Sequence, residues 1–380
     1  MRFSMNREVF AEAVGFPVAM LPARAAQPIL GGILLEAHDG NVTFSIFNFE
    51  VSAKTTVQAE INESGRVLVA GRLLATIANK LPGDTVELEL VANQLQISSG
   101  AASFNLPAMP VEEYPAIPDL TEITGEVRGS DFVTAVNQVF PAASSEDVTP
   151  VITGVHLKTK ENVLTLTATD RYRVAMRGID WENHDAETEH EALVPAKVIH
   201  EVSKLLAKAE TIKIVIQKNG DRQLIGFIGD GRSITSTLIS GNYPPVERLF
   251  PETVENFAVI NTGDLRQAVD LVSIVVEQHA AVRFNFVDGQ VTLEGTGGEA
   301  GRATQSVDTH LVGDDVVISL RPSFLRDGLN GANSEFTRIA FTATSVPGKP
   351  GPVLISGQRS KDSADDTSFR YLLQPNLLQR

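Results

Sequence analysis

Cysteine is absent from this 380-residue sequence. Its absence excludes disulfide bonds, thiolate nucleophiles and cysteine ligands for zinc. The sequence also lacks any run of 18 or more apolar residues, so no membrane-spanning helix is predicted. Its first residues lack the apolar stretch of a secretory signal. Together these absences favour a cytoplasmic protein with no membrane partner.

Positive charge is scarce as well. Lys and Arg number 32 against 47 Asp and Glu, a formal net charge of −15. An acidic surface repels the phosphates of nucleic acids, so the composition alone argues against a DNA-binding protein. A DNA-binding role therefore requires the basic side chains to be gathered on one surface.

Catalytic motifs are missing. There is no G-x-S-x-G sequence, and without cysteine there is no Cys–His pair. The seven histidines show no metal-ligand spacing; His184 and His190 come closest, in an acidic segment that we interpret as a solvated loop. The sequence therefore predicts a protein that is not an enzyme and has no metal or other cofactor.

A threefold repeat organises the chain. The pattern of a hydrophobic residue followed by x-x-Ala-Val occurs at 10–14, 132–136 and 265–269. Each occurrence lies in a helical apolar pattern preceded by a residue that favours helix N-caps: Asn6, Ser130 and Thr262. A second helical segment follows in each third, at 71–81, 195–209 and 321–330. Alternating apolar residues between the helices predict half-buried strands, such as 86–90, 212–216 and 282–286.

This order predicts an α+β fold of three similar domains, each with two helices packed on antiparallel sheets. Proline-rich joins at 110–118 and 243–251 place the domains at 1–120, 121–251 and 252–380. If the same interface joins each domain to the next, each domain is rotated by the same angle relative to the one before it, and the chain curves. If the two ends of the chain match, two copies can close into a head-to-tail ring without free sheet edges.

Basic residues gather on two predicted helices. Lys197, Lys204 and Lys208 share one face of a helix, because their spacing is i, i+7 and i+11. Arg72 and Lys80 share a face in the first third, and Arg24 lies in a loop nearby. These six residues are the predicted DNA-facing set. The helix of the last third that contains the 265–269 pattern is instead acidic, with Asp264, Asp270 and Glu277.

Several segments resemble one known family, the bacterial sliding clamp, which is the beta subunit of DNA polymerase III. The resemblance covers essentially the whole chain. Its most specific segment is 164–173, with the sequence Leu-Thr-Leu-Thr-Ala-Thr-Asp-Arg-Tyr-Arg. The other segments are 28–35, 109–115, 243–251 and 371–375.

The resemblance implies a homodimeric ring that encircles double-stranded DNA without reading its sequence. It implies that a hydrophobic pocket tethers the replicative DNA polymerase, the clamp loader and other proteins that carry a clamp-binding motif. Carried onto this sequence, the pocket residues are Ile152, Thr169, Arg171, Tyr172, Arg173, Val174, Pro244, Arg248, Leu249, Phe324, Leu372, Leu373, Gln374 and Pro375. Phe104 and Leu106 correspond to the subunit interface.

The sequence departs from the family at the implied pocket. Gln374 stands where an apolar residue is usual, Arg321 stands where Asn is common, and the tail continues to Arg380. These departures leave open a paralogue or a phage-type clamp with an altered partner preference. A repeat scaffold without DNA function and a multidomain β-rich enzyme are the alternatives from other classes. The enzyme would need convergent polar groups in a pocket.

Overall fold

Each third of the chain contributes two α-helices, as the repeat predicts. The computed structural model describes residues 1–184, 189–219, 222–277, 279–297, 301–343 and 350–377. The helices in this part of the chain are α1 (Arg7–Ala19), α2 (Gly71–Ala78), α3 (Gly129–Val139), α4 (Ala196–Leu205), α5 (Thr262–Val272) and α6 (Pro322–Ala332).

The strands repeat in the same order. In the first third they are β1 (Arg2–Asn6), β2 (Gly32–His38), β3 (Asn41–Phe47), β4 (Val51–Gln58), β5 (Glu60–Glu63), β6 (Gly65–Ala70), β7 (Thr85–Val91), β8 (Gln94–Ser99) and β9 (Ala102–Pro107). In the second they are β10 (Gly125–Arg128), β11 (Gly154–Lys160), β12 (Val163–Thr169), β13 (Arg173–Asp180), β14 (Glu182–Asn183), β15 (Glu191–Pro195), β16 (Thr211–Asn219), β17 (Arg222–Gly229) and β18 (Arg232–Thr237). In the third they are β19 (Phe257–Asn261), β20 (Val282–Val287), β21 (Gly289–Thr296), β22 (Arg302–Val312), β23 (Val316–Leu320), β24 (Phe336–Phe341), β25 (Val353–Gln358) and β26 (Asp365–Leu373).

The predicted N-caps are correct for one helix of three. Asn6 caps α1, because its side chain accepts hydrogen bonds from the backbone N–H groups of Glu8 (2.8 Å) and Val9 (3.2 Å). The predictions for Ser130 and Thr262 were wrong, since α3 begins at Gly129 and α5 at Thr262 itself. Asn261 caps α5 by accepting from Asp264 N at 3.1 Å. The N-cap of α5 is therefore the Asn261 amide and not the Thr262 hydroxyl.

The chain divides into two compact units. The first comprises Met1–Val133, Trp181–Thr188 and Lys197–Leu238, and the second comprises Thr134–Asp180, Glu189–Ala196 and Ile239–Arg380. The first unit contains a five-stranded sheet, β5-β1-β7-β8-β9, and a nine-stranded sheet, β14-β10-β16-β17-β18-β4-β3-β2-β6. The second contains a twelve-stranded sheet, β15-β11-β12-β13-β26-β25-β24-β19-β22-β21-β20-β23. The nine-stranded and twelve-stranded sheets therefore join strands from successive thirds of the sequence, whereas the five-stranded sheet is built from the first third alone.

Helices cover the sheets within each unit. In the first unit α1 packs against α2 and β4, and the rings of Phe10 and Phe44 meet edge to face with their centroids 5.9 Å apart. In the second unit α6 packs against β25 and β26, where the backbone of Gly331 lies against the ring of Phe369. Within the described residues, none of the helices has the length and apolar character needed to cross a membrane.

Two helical glycines make opposite predictions about stability. Gly331→Ala in α6 places a methyl group against the Phe369 ring, so we expect the free energy of unfolding of the second unit to fall by about 2 kcal/mol. The matched control is Gly15→Ala in α1, where nothing lies within 4 Å of the added carbon. Its higher helix propensity should raise stability by about 1 kcal/mol. Differential scanning calorimetry measures both changes; shifts of the same sign in the two variants would contradict the packing described for α6.

Candidate functional site

The tight loop between β12 and β13 is held by side chains that the segment 164–173 supplies. Thr169 donates from Oγ1 to the Arg173 carbonyl at 2.7 Å and accepts from Arg171 N at 3.2 Å. Asp170 Oδ1 accepts from Tyr172 N at 3.0 Å and from Arg173 N at 3.1 Å. These bonds stabilise the left-handed backbone of Arg171, whose φ is 79°. The loop therefore presents the Arg171 and Tyr172 side chains outward.

The guanidinium of Arg173 is buried at the base of this loop. Its Nε donates to Asp170 Oδ2 at 2.9 Å, and its Nη atoms donate to Asp327, to the Tyr371 hydroxyl at 3.3 Å and to the Pro141 carbonyl. It also lies over the Phe324 ring, 4.1 Å from the centroid. Arg173 therefore ties β13 to α6, β26 and the 140–142 turn.

Electrostatics keep this arginine charged. Burial alone lowers the pKa of Arg173, but the Tyr371 hydroxyl and the carboxylates of Asp327 and Asp170 outweigh that effect and raise the pKa above its ordinary value. Burial likewise raises the pKa of the Tyr371 phenol, which remains neutral and donates to the Phe324 carbonyl at 2.8 Å. Arg173 thus acts as a positioning residue, with each of its nitrogens bonded to a group of its own chain.

An aromatic and cationic shelf lies beside the loop. The Tyr172 side chain is 57% exposed, and its ring centroid is 6.3 Å from that of Phe324. The guanidinium of Arg321 lies over both rings, 4.5 Å from the Phe324 centroid and 5.8 Å from the Tyr172 centroid. Arg321, which departs from the family pattern, therefore belongs to the same surface as the predicted pocket residues.

A cluster of apolar side chains from β13, β24, β25, β26 and the segment 243–257 lies in the same unit. We call it the apolar floor. Its buried members are Val174, Met176, Val246, Phe250, Ala340, Leu354 and Leu372, and Tyr243, Val254 and Phe257 pack against it. Two of the predicted pocket residues, Val174 and Leu372, belong to it. The predicted residue Leu249 follows Val246 along the chain and is 56% exposed.

The chain end is fixed by backbone pairing. Leu373 is fully buried and pairs with Arg173 across the strands. Gln374 is exposed; its N–H donates to the Tyr172 carbonyl at 2.9 Å, and its side chain donates to the Pro350 carbonyl at 3.2 Å. Pro375 is buried. The structure therefore brings Gln374 to the loop that carries Tyr172.

The remaining predicted pocket residues lie elsewhere in the second unit. Ile152 is buried in the 3₁₀ helix Pro150–Thr153. Pro244 is half-buried and accepts from Val246 N at 2.7 Å, and Arg248 is exposed in the 3₁₀ helix Val246–Leu249.

Sequence reasoning missed the partners of Arg173 and most of the apolar floor. Val246 and Phe250 lie within the quoted segment 243–251, so that segment held a usable signal for them. The sequence held no such signal for Asp327 or Leu354. Asp327 reaches Arg173, and Leu354 reaches the apolar floor, only through the packing of α6 and β25.

The predicted DNA-facing residues all lie in the first unit and are exposed. They are Arg24, Arg72, Lys80, Lys197, Lys204 and Lys208. Two have partners within the chain: Arg72 donates to the Leu21 carbonyl at 2.8 Å, and Lys204 lies 2.8 Å from Glu201.

The predicted interface residues lie on β9, the edge strand of the five-stranded sheet. Phe104 is 39% exposed, whereas Leu106 is buried. Only the first of them is therefore placed on the surface of this chain.

Comparison with known proteins matches most of the chain to one family. Residues 1–118, 126–245 and 247–366 match the N-terminal, central and C-terminal domains of the DNA polymerase III beta subunit. The chain is 39% identical over 376 residues to the beta sliding clamp of Streptomyces coelicolor, covering 99% of both chains. It is 36% identical over 375 residues to the beta sliding clamp homolog GriR of Streptomyces muensis, again covering 99% of both.

The fold is that of solved clamps. The crystal structure of the DNA polymerase sliding clamp from Bacillus subtilis superimposes with a TM-score of 0.91 at 24% identity, covering 100% of both chains. Three matched domains in the family's order and full-length relatives above 30% identity agree with one another. This chain belongs to the DNA polymerase III beta subunit family, the bacterial sliding clamps.

Proposed function

We propose that this chain is the subunit of a homodimeric ring that encircles duplex DNA and tethers the replicative polymerase to it. The domains of that ring are 1–120, 121–251 and 252–380. One observation carries the proposal: two strand pairings in the chain follow the same rule, and that rule leaves two matching free edges.

The rule is that the fourth strand of one domain pairs with the last strand of the next. Thus β4 pairs with β18, with Ser52 opposite Thr235, and β13 pairs with β26, with Val174 opposite Leu372. The same backbone hydrogen bond ends both pairings. Thr237 N donates to the Glu50 carbonyl at 2.8 Å, and Gln374 N donates to the Tyr172 carbonyl at 2.9 Å.

Two strands remain for a third pairing of this kind. β9, the last strand of the first domain, is an edge strand. β22 is the fourth strand of the third domain and corresponds to β4 and β13. On one side of β22, β19 pairs with the second half of that strand, from Thr309 to Val312. The first half of β22 therefore offers one open edge, and an open edge is a template for another strand. A second copy that supplies β9 satisfies both edges in a head-to-tail dimer.

Exposed apolar side chains support an interface between copies. Phe104 lies on β9, and Leu271 and Ile274, at the end of α5 and just after it, are 50% and 77% exposed. Large exposed apolar side chains on facing surfaces favour association, because contact removes them from water.

The exposed lysines and arginines of α2 and α4, of the turns that follow these helices and of the loop after α1 supply phosphate contacts. Such contacts are independent of sequence and weaken with salt, so they permit sliding. The acidic remainder of the surface is compatible with this role, because a closed ring retains DNA topologically and needs no tight binding.

The apolar floor and the shelf formed by Tyr172, Phe324 and Arg321 form the binding site for partner peptides. Apolar anchors of a short segment would pack on the floor, and the exposed Tyr172 and Leu249 would flank them. The partners are the replicative polymerase, the clamp loader and other proteins that carry the same motif. In this role the chain is not catalytic, requires no cofactor and works in the cytoplasm.

The register of the two internal pairings predicts the register between copies. The pair Thr296–Arg302 closes the turn between β21 and β22 as Phe47–Ser52 closes the turn between β3 and β4, so Arg302 corresponds to Ser52. Asn105 of β9 corresponds to Thr235 of β18, the partner of Ser52. Asn105 of one copy then lies opposite Arg302 of the other, and Ser103 lies opposite Thr304. Because the chain has no cysteine, the double variant Ser103→Cys, Thr304→Cys should form disulfides only between copies and give a covalent dimer on a non-reducing gel.

The matched control for the cross-link is Ser103→Cys with Ser306→Cys. It moves one thiol two residues along the same face of β22, about 7 Å, which is beyond disulfide reach. Efficient cross-linking by the control and not by the first pair would contradict the proposed closure.

Arg173→Ala should lower the stability of the second unit and weaken partner binding while leaving the dimer intact. The change leaves Asp170 and Asp327 without their buried cation, a loss of about 3 kcal/mol. Calorimetry, light scattering and pull-down of the polymerase subunit measure the three effects. Arg173→Lys keeps the charge but not the fork of donors, so we expect an intermediate loss. Unchanged binding in both variants would remove this loop from the partner site.

A further inference from the structure

Three side chains with metal-ligand atoms meet at the edge of the nine-stranded sheet. Glu126 on β10 pairs opposite Glu182 on β14, and His184 N donates to the Thr124 carbonyl at 3.1 Å, which extends the pairing past β14. Side chains two residues apart on a strand share a face, so Glu182 and His184 lie on the same side as Glu126. One carboxylate oxygen of each glutamate and one imidazole nitrogen of His184 lie within 4.8 Å of one another.

This donor set suits zinc. Two carboxylates and one imidazole are ordinary Zn²⁺ ligands, and a site with three protein ligands leaves a fourth position for water. Bonds of 2.0–2.1 Å in a tetrahedron place ligand atoms roughly 3.4 Å apart. Small rotations of the exposed Glu182 and His184 side chains can close the remaining distance.

Glu126 has a cross-strand neighbour on either side, Glu182 of β14 and Lys213 of β16. Within the described residues neither Glu126 nor Glu182 forms an ion pair, although their carboxylates lie close to each other. Adjacent like charges repel, and a divalent cation between them removes that repulsion.

A buried aromatic side chain supports the backbone from the face opposite the site. The Trp181 side chain is buried and packs directly on Gly125, where a β-carbon would collide with the indole. This contact holds the strand with Glu182 and His184 against β10 from the opposite side. The pairing and the Trp181 contact bring the three ligands to one side of the sheet before an ion binds, which lowers the entropy that binding must still remove.

We propose that Glu126, Glu182 and His184 bind one Zn²⁺ ion per chain. β14 has only two residues, so its backbone pairing is weak by itself. The bound ion fastens residues 182–184 to β10 and stabilises the first unit. Spacing along the sequence could not reveal the site, because Glu126 comes from a distant strand and His190 takes no part.

Isothermal titration calorimetry of the full chain with Zn²⁺ tests the proposal. We expect one strong site per chain and a rise in dissociation constant of about tenfold or more in His184→Ala and in Glu126→Gln, since losing even an outer-sphere partner costs about 10–100-fold. His38→Ala is the matched control, because His38 is also an exposed histidine next to a carboxylate, with Nδ1 2.7 Å from Asp39 Oδ2. Circular dichroism establishes that each variant is folded.

The single tryptophan gives a second readout that reports position. Trp181 directly precedes Glu182, so bound Co²⁺ should quench its fluorescence, and excess Zn²⁺ should restore it. Quenching should disappear in His184→Ala and persist in His38→Ala. The proposal is overturned if Zn²⁺ does not bind, if binding is unchanged in both site variants, or if only His38→Ala abolishes it.

Discussion

Backbone pairing between the fourth strand of one domain and the last strand of the next is the constraint on which this protein depends. It extends single sheets across successive domains, as in β18 beside β4 and β26 beside β13. Strand pairing fixes both distance and register, because every backbone donor must meet its acceptor. Repeating one pairing therefore repeats one geometric relation between neighbouring domains, which is the requirement for closing a ring.

The β4–β18 and β13–β26 pairings have the same pattern of backbone hydrogen bonds but carry different side chains. In the first unit the hydroxyls of Ser52 and Thr235 form a buried hydrogen bond of 2.6 Å. The equivalent residues of the second unit, Val174 and Leu372, belong to the apolar floor. An apolar peptide gains little against a satisfied polar pair, because its approach would remove those groups from water without replacing their bonds. This difference supports placing the proposed peptide-binding site at the second pairing and not at the first.

Arg173 shows how the site depends on interactions within the chain. Its guanidinium donates hydrogen bonds to Asp170, Asp327, Tyr371 and Pro141, so its proposed contribution to partner binding is to hold Tyr172 and Phe324 in place. Arg321 lies over the rings of Phe324 and Tyr172 and is less buried than Arg173. A position where the family is expected to carry Asn thus lies at the proposed partner surface, whereas the buried Arg173 comes from the segment 164–173.

The repeat, the α+β class and the two helices per domain could be predicted from the sequence, because hydrophobic periodicity and turn residues are local signals. The segment 164–173 also identified the loop of the candidate site. Asp327 and Leu354 could not be predicted, since they reach the site through tertiary packing of α6 and β25. The cap at Asn261 was missed because neighbouring polar residues compete for the same position, and helix boundaries are uncertain by a residue or two.

The most direct test of the central claim is retention on circular DNA. The protein is loaded onto a nicked plasmid with a clamp loader and ATP, and the plasmid is then cut once with a restriction enzyme. A ring closed by the third strand pairing remains on the circle and slides off after the cut. Equal retention before and after the cut, or equal loss from both, would contradict topological binding.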